Sequence, residues 1–177
     1  MSHSQVLIAP VAAENTGVAA GFLTEWVISH DAGAREYLAG HTADRGASLI
    51  AMQNGRVTGI VCTRWQSNYP GFRDRGIPLV HQLSVAEPFR RQGVATRLMD
   101  AMEELARSRG AGALGITVGL SEAYGPAQRL YVRRGYVPDG RGACQGQQPI
   151  RQGARVTLDH DVIIWLTKNL TLRRPDQ

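Results

Sequence analysis

The sequence predicts a mixed α/β fold, a sheet carrying helices on its faces. Three observations predict it. The elements run strand, helices, hairpin, strand, helix, strand, helix, strand, an order that packs naturally as a mixed sheet with helices against it. An Asn54-Gly55 pair sits between two β-rich runs and marks a hairpin. One later segment has the apolar period of a half-buried helix.

Taken in order, "QVLIAP" (5–10) reads as the first strand. "AENTGVAAGFLTEWVISHDAGAREYLAGHTA" reads as one or two helices with a break near Gly33. "SLIAMQ", Asn54-Gly55 and "RVTGIVCTRW" form the hairpin. "QSNYPGFRDRGIP" (66–78) is rich in Gly, Pro and Asn and reads as a loop. "LVHQLSV" (79–85) is a strand, followed by a helix over about 92–108. That helix places Val94, Leu98, Ala101, Met102 and Leu105 on one stripe and ends at Gly110. "ALGITVGL" (113–120) is a strand, and "GPAQRLYVRRG" (125–135) a short helix with Pro126 in its first turn and Gly135 past its end. A glycine-rich connection with one short strand leads to the last strand, "DVIIWLTKNL" (161–170).

A chain of 177 residues suits one domain over 1–177. Its 43% hydrophobic and 20% charged residues are an ordinary globular mix. No run of apolar residues is long enough for a membrane span, and the N-terminus lacks a signal-peptide pattern, so a cytoplasmic protein is expected. Cys62 and Cys144 are then expected as unlinked thiols. No Cys/His cluster has zinc-ligand spacing, and no metal is expected. The net charge is +5, almost all from arginine, with Lys168 the only lysine. The arginines form small groups, Arg73/Arg75, Arg90/Arg91, Arg133/Arg134 and Arg173/Arg174, rather than a basic stripe with aromatic platforms. A polyanionic small molecule fits that pattern as well as nucleic acid does.

The entry to the 92–108 helix is unusual. "EPFRRQGVATRL" sets two arginines before Gly93 and Ala95, which leave the backbone bare. The first N–H groups of a helix have no internal partner and carry the positive end of its dipole. Bare donors in a row make an anion site. The sequence is neither a P-loop nor a dinucleotide fingerprint, because Gly93 is followed by Val94-Ala95-Thr96 and G-x-G-x-x-G is absent there.

Two segments together resemble the GNAT superfamily of acyl-CoA N-acyltransferases. In "LSVAEPFRRQGVATRLMDAMEELARSRG", Arg90-Arg91-Gln92-Gly93-Val94-Ala95 fits the family's Q/R-x-x-G-x-G/A. "AQRLYVRRGYVPDG" fits its second signature of Ala, Leu-Tyr and Gly-Tyr/Phe. The resemblance covers roughly residues 48–140 and extends to the first 45 only by element order. It implies a GNAT-like, mostly antiparallel, splayed sheet of six to seven strands with helices on both faces. It also implies acetyl-CoA as co-substrate with no metal, since a thioester is already activated.

Under that resemblance the pyrophosphate of coenzyme A lies on the amides of Arg91, Gln92, Gly93, Val94, Ala95 and Thr96, with Arg90 beside them. The pantetheine pairs with Leu83, Ser84 and Val85, with Ala127 of the second signature and Tyr124 just before it also at the cofactor. The sheet opens between the 79–85 and 113–120 strands. Tyr131 matches the tyrosine that protonates the departing thiolate in many members. A phenol near pKa 10 is suited to that in a dry slot. His81 is the base candidate, because it lies on the strand lining the slot and a free histidine titrates near neutral pH. On an unbroken strand it shares a face with Leu79, Leu83 and Val85. The bland alternative, a histidine packed beside the sheet, stays open.

Two departures from the family pattern stand out. Many relatives have a glutamate base where this chain has Leu79, and an asparagine seven residues before the tyrosine, where it has Tyr124. Glu87 reads as a turn residue, and Asp159-His160-Asp161 as a polar turn rather than a base.

Acceptor contacts are expected from the first helices and the 66–78 loop: Trp26, Tyr37, Trp65, Tyr69, Phe72, Arg73 and Arg75. Aromatics with two arginines suit an amine that carries a carboxylate or phosphate, and loop packing is the equal alternative. The main expectation is acetyl transfer from acetyl-CoA to a primary amine of a small molecule by direct attack in a ternary complex. Two further readings stay open. One is a GNAT-fold acyltransferase with an aminoacyl-tRNA or carrier-protein donor. The other is a non-catalytic CoA-binding domain. Family members are often dimers, but the sequence marks no surface for a homodimer.

Overall fold

The computed structural model of the protein describes residues 5–41 and 44–171; the Arg173/Arg174 pair lies outside them. Eight strands among the described residues form one sheet, ordered β1-β2-β3-β4-β5-β8-β6-β7. They are β1 (Leu7–Pro10), β2 (Gly46–Gln53), β3 (Arg56–Arg64), β4 (Leu79–Val85), β5 (Ala113–Gly119), β6 (Val137–Gln145), β7 (Gln148–Pro149) and β8 (Val162–Asn169). The helices are α1 (Thr16–Trp26), α2 (Asp31–Ala39), α3 (Pro70–Arg73), α4 (Val94–Ser108) and α5 (Gly125–Arg133). Every strand pairing is antiparallel except β4 with β5. No helix among the described residues is long and apolar enough to cross a membrane.

Asn54 and Gly55 turn the β2–β3 hairpin with φ of 50° and 76°. Positive φ at both central residues is what a two-residue turn matched to strand twist requires. The break between the first helices falls at 27–30, earlier than Gly33. His30 is extended and its Nδ1 accepts from the Gly33 N–H at 2.9 Å, capping α2 with Gly33 already inside it.

Two cores lie on opposite faces of the sheet. On one face α4 packs Val94, Leu98, Met99, Met102 and Ala106 against Leu49, Val61, Val80 and Leu114. Of the predicted stripe, Val94, Leu98 and Met102 are buried, while Ala101 and Leu105 pack at its margin. On the other face α1 and α2 bury Phe22, Leu23, Ala34 and Leu38 against Ile50, Ile60 and Cys62. A third cluster joins α3 to β4 and β8 through Phe72, Leu79 and Trp165. Cys62 and Cys144 are both free thiols, buried.

The sheet has eight strands where six to seven were expected. The glycine-rich connection holds nine-residue β6 and the two-residue β7. β6 leaves β8 between Pro138 and Ala143, and Gly140 and Gly142 have positive φ there.

Candidate active site

β4 and β5 run parallel but pair only at Leu79–Gly115 and Val80–Ile116. Beyond Val80 they part, so the β5-facing edge of Leu83–Val85 is open to an extended ligand. On its other edge β4 pairs with β3, and the register skips one residue: Cys62 faces Gln82 while Thr63 faces Val80. His81 is the extra residue of this β-bulge. The bulge reverses the alternation, so Val80, Leu83 and Val85 pack toward α4 while His81 reaches Tyr37 on α2. His81 therefore does not share a face with Leu83 and Val85, contrary to the unbroken-strand expectation.

The entry to α4 lies beside the parted strands. Arg91 has φ 64° and Gly93 has φ 80°, and Val94 begins the helix. The first helical bond runs from the Arg97 N–H to the Gly93 carbonyl at 3.0 Å. Among the described residues no backbone carbonyl accepts from the amides of Arg91 through Thr96. Left-handed residues alternating with right-handed ones curl such amides into an anion-binding nest. A side chain at 93 would meet no heavy atom within 4 Å, so glycine is set by the backbone angle and not by space.

A groove of about 520 Å³ joins these parts. It is lined by Leu83, Ser84 and Val85 of β4, by Arg90, Arg91, Gly93, Val94, Ala95 and Thr96, and by Tyr124, Ala127 and Tyr131. Gln92 lies outside its lining, with its side-chain amide donating to the Pro88 carbonyl at 2.9 Å. Sequence reasoning missed Phe89, Ala123, Pro126, Arg129, Leu130 and Arg133. The spacing of Arg129 and Arg133, one helical turn apart on α5, was the available signal. With Arg90 and Arg91 they make the groove lining rich in arginine, and no acidic residue is among the lining residues. The nest, the open strand edge and the cationic walls fit the pyrophosphate and extended arm of coenzyme A.

Tyr131 is 5% exposed and lines the groove, its ring 5.9 Å from that of Tyr136. Burial raises its phenol above the ordinary value, which keeps it protonated through neutral pH. Tyr124 packs on Gly119, where a Cβ would come within 2.3 Å of its ring.

A histidine free in water titrates near neutral pH, but His81 does not. Burial first, then His41 and Arg64, lower it to about 3, so it is neutral. Its Nδ1 lies 3.0 Å from the Tyr37 hydroxyl and its Nε2 lies 2.6 Å from Nε2 of His41.

The expected acceptor residues scatter. Trp26 lines the groove. Phe72 is 1% exposed and packs edge-on to Trp165 beneath Gly115, so it belongs to the core. α3 forms within the expected loop because Phe72 is anchored there. Tyr69 lies under the Arg141 guanidinium at 4.0 Å, and Arg109 covers Trp65 at 4.7 Å. Arg73 sits 3.6 Å from Asp74, and it and Arg75 lie outside the groove lining. Asp159, His160 and Asp161 form an exposed turn, and Glu87 opens a short 3₁₀ turn before α4. Among the described residues no group of three or more His, Cys, Asp or Glu side chains could hold a metal ion.

The family model for the acetyltransferase (GNAT) family matches residues 16–136, more than half of the chain. The chain belongs to the GNAT acetyltransferase family. Solved structures carry the same fold at low identity. The ribosomal-protein-S18-alanine N-acetyltransferase from Escherichia coli is 14% identical, with a TM-score of 0.68 over 98% of this chain and 99% of that one. A GNAT acetyltransferase from Elizabethkingia anophelis, solved with acetyl-CoA bound, is 17% identical, with a TM-score of 0.62 over 93% and 97%. A GNAT acetyltransferase from Streptococcus pneumoniae is 17% identical, with a TM-score of 0.66 over 93% and 99%. No curated protein matches the chain in sequence.

Proposed function

We propose that this GNAT acetyltransferase moves an acetyl group from acetyl-CoA to a primary amine of a small molecule, by direct attack within a ternary complex. The observation that carries this reading is the single groove joining the α4 nest, the open edge of β4 and Tyr131. The amides of Arg91–Thr96 would hold the pyrophosphate, with Arg90, Arg129 and Arg133 adding charge. Leu83–Val85 would pair with the pantetheine arm, and the Leu83 N–H would polarise the acyl carbonyl. Acetyl-CoA supplies an acyl group already activated as a thioester.

Tyr131 gives its phenolic proton to the departing sulfur. Its burial keeps that proton in place until a thiolate appears beside it. Trp26, at the α1 side of the groove, is the proposed acceptor contact.

The test is thiol release from acetyl-CoA across a panel of small primary amines, polyamines and peptide N-termini. Turnover with a small amine, lowered about 100-fold or more by Tyr131→Phe while acetyl-CoA binding is kept, supports the reading. Transfer only to peptide N-termini, or no release with acetyl-CoA bound, overturns it.

A further inference from the structure

Tyr37 on α2, His41 just past its end and His81 at the β4 bulge are linked in a closed chain of hydrogen bonds. The third link, besides the two to His81, joins His41 Nδ1 to the Tyr37 carbonyl oxygen at 2.7 Å. The two imidazole planes are 14° from parallel with centroids 4.7 Å apart. Their facing nitrogens are only 2.6 Å apart. The centroids are separated by far more than the nitrogens, so Nε2 points at Nε2 along the ring-to-ring line, as a hydrogen bond requires, rather than lying in a face-to-face stack.

One group fixes every proton in this chain. A carbonyl can only accept, so His41 carries its proton on Nδ1 and presents a lone pair at Nε2. His81 must then donate from Nε2, which leaves its Nδ1 as a lone pair. The Tyr37 hydroxyl donates to that lone pair. Both ring nitrogens of His81 are thereby occupied, and it has no lone pair left for a substrate. The phenol oxygen of Tyr37, which also shares a hydrogen bond with the buried Cys62 thiol, keeps one.

We propose that Tyr37, His81 and His41 form a one-way proton relay that enters at the Tyr37 hydroxyl and leaves at His41. It rests on the amine-transfer reading above. As the acceptor nitrogen bonds to the acyl carbon it becomes positively charged and must lose a proton. That proton goes to the Tyr37 oxygen as the phenol passes its own to His81 Nδ1. The Nε2 proton of His81 passes to His41 Nε2. The acceptor nitrogen is then neutral, Tyr37 and His81 are neutral, and His41 holds the extra charge.

The surroundings favour release from that end. His41 is only partly buried, and Arg45 and Arg64 both disfavour a charge on it. Arg64 acts likewise on His81, and the buried Cys62 thiol beside Tyr37 is itself held neutral. The phenol of Tyr37 is raised well above the ordinary value by burial, so it conducts a proton without standing ionised. None of the three is among the groove-lining residues; His81 is the first β4 residue past the last pairing with β5, and the proposal places the acceptor there, where the sheet opens. Tyr37, on α2, takes the proton itself, while His41, just past the end of that helix, acts only through His81.

The test has a spectroscopic and a kinetic arm. Two-bond proton–nitrogen correlation spectra of the ¹⁵N-labelled protein should show His41 protonated on Nδ1 and His81 on Nε2, with His81 not titrating between about pH 5 and 8. Tyr37→Phe should lower kcat about tenfold or more with KM for both substrates within about twofold, and turn a curved proton inventory linear. His41→Gln should lower kcat similarly, and the double variant should be no worse than either single one. The opposite tautomer on either ring, or wild-type turnover in Tyr37→Phe, overturns the relay alone. Wild-type protein with the stated tautomers that acylates no amine overturns the transfer reading, and the relay with it.

Discussion

Glu103→Ala should destabilise the protein by about 3 kcal/mol. Glu103 is 3% exposed on α4. Its Oε1 accepts from Arg134 Nε at 3.0 Å and from the Tyr136 hydroxyl at 3.2 Å, and its Oε2 accepts from Lys168 Nζ at 2.5 Å. One carboxylate thus ties α4 to the end of α5, the start of β6 and β8. These are the parts that hold the nest and Tyr131 in one groove. Removing one side of a buried ion pair costs about 3–5 kcal/mol. Arg134 keeps a second carboxylate, Asp100 at 2.7 Å, which sets the expectation at the lower end of that range. A loss of about 3 kcal/mol is a large part of the usual 5–15 kcal/mol. In a chain of this length it lowers Tm by roughly 6–12 °C. Urea unfolding followed by tryptophan fluorescence measures it directly. A Glu103→Ala, Lys168→Met double variant should recover part of the loss, because the lysine charge leaves with its carboxylate. A loss below about 1 kcal/mol, or a double variant no more stable than Glu103→Ala alone, would refute this reasoning.

Two further outcomes are expected. The unfolded chain protonates His81 near the free value of 6.5, the folded one only near 3, so between them the unfolded state binds more protons. Stability is full above 6.5 and falls as pH drops through that window, by at most about 4–5 kcal/mol, and urea midpoints against pH should lose this slope in His81→Gln. Gly119→Ala should press Tyr124 into the groove and weaken acetyl-CoA binding about tenfold by calorimetry. Gly112→Ala, whose nearest neighbour is at 3.8 Å, should not.

The sequence was legible where local pattern alone decides structure. Asn54-Gly55 turns as read, Val94, Leu98 and Met102 of the stripe are buried, and Gly93 stands at the entry to α4 with positive φ. It was illegible where tertiary pairing overrides pattern. "LVHQLSV" reads as unbroken alternation, and only its register against β3 makes His81 a bulge. The connection read as one short strand, where it holds nine-residue β6 and two-residue β7; Gly140 and Gly142 mark the stretch where β6 leaves β8. Phe72 read as an acceptor contact or as loop packing, and it is neither: Gly115 leaves room for its ring in the core beneath β5. Arg133 and Arg134 are neighbours in sequence with opposite tasks: one lines the groove and the other meets Glu103. The relay from Tyr37 to His41 could not be read at all, since its members lie 40 and 44 residues from His81.

The central claim is that the α4 entry holds coenzyme A. Calorimetric titration of acetyl-CoA into the wild-type protein and an Arg91→Glu, Gly93→Asp double variant tests it most directly. Both substitutions put a carboxylate into the nest; a Cβ at 93 meets no neighbour but φ of 80° strains an Asp there, so circular dichroism must first show the variant folded. The account predicts binding on the order of micromolar in the wild type and a loss of about 100-fold or more in the variant. Equal affinity in the two proteins, both folded, would contradict it.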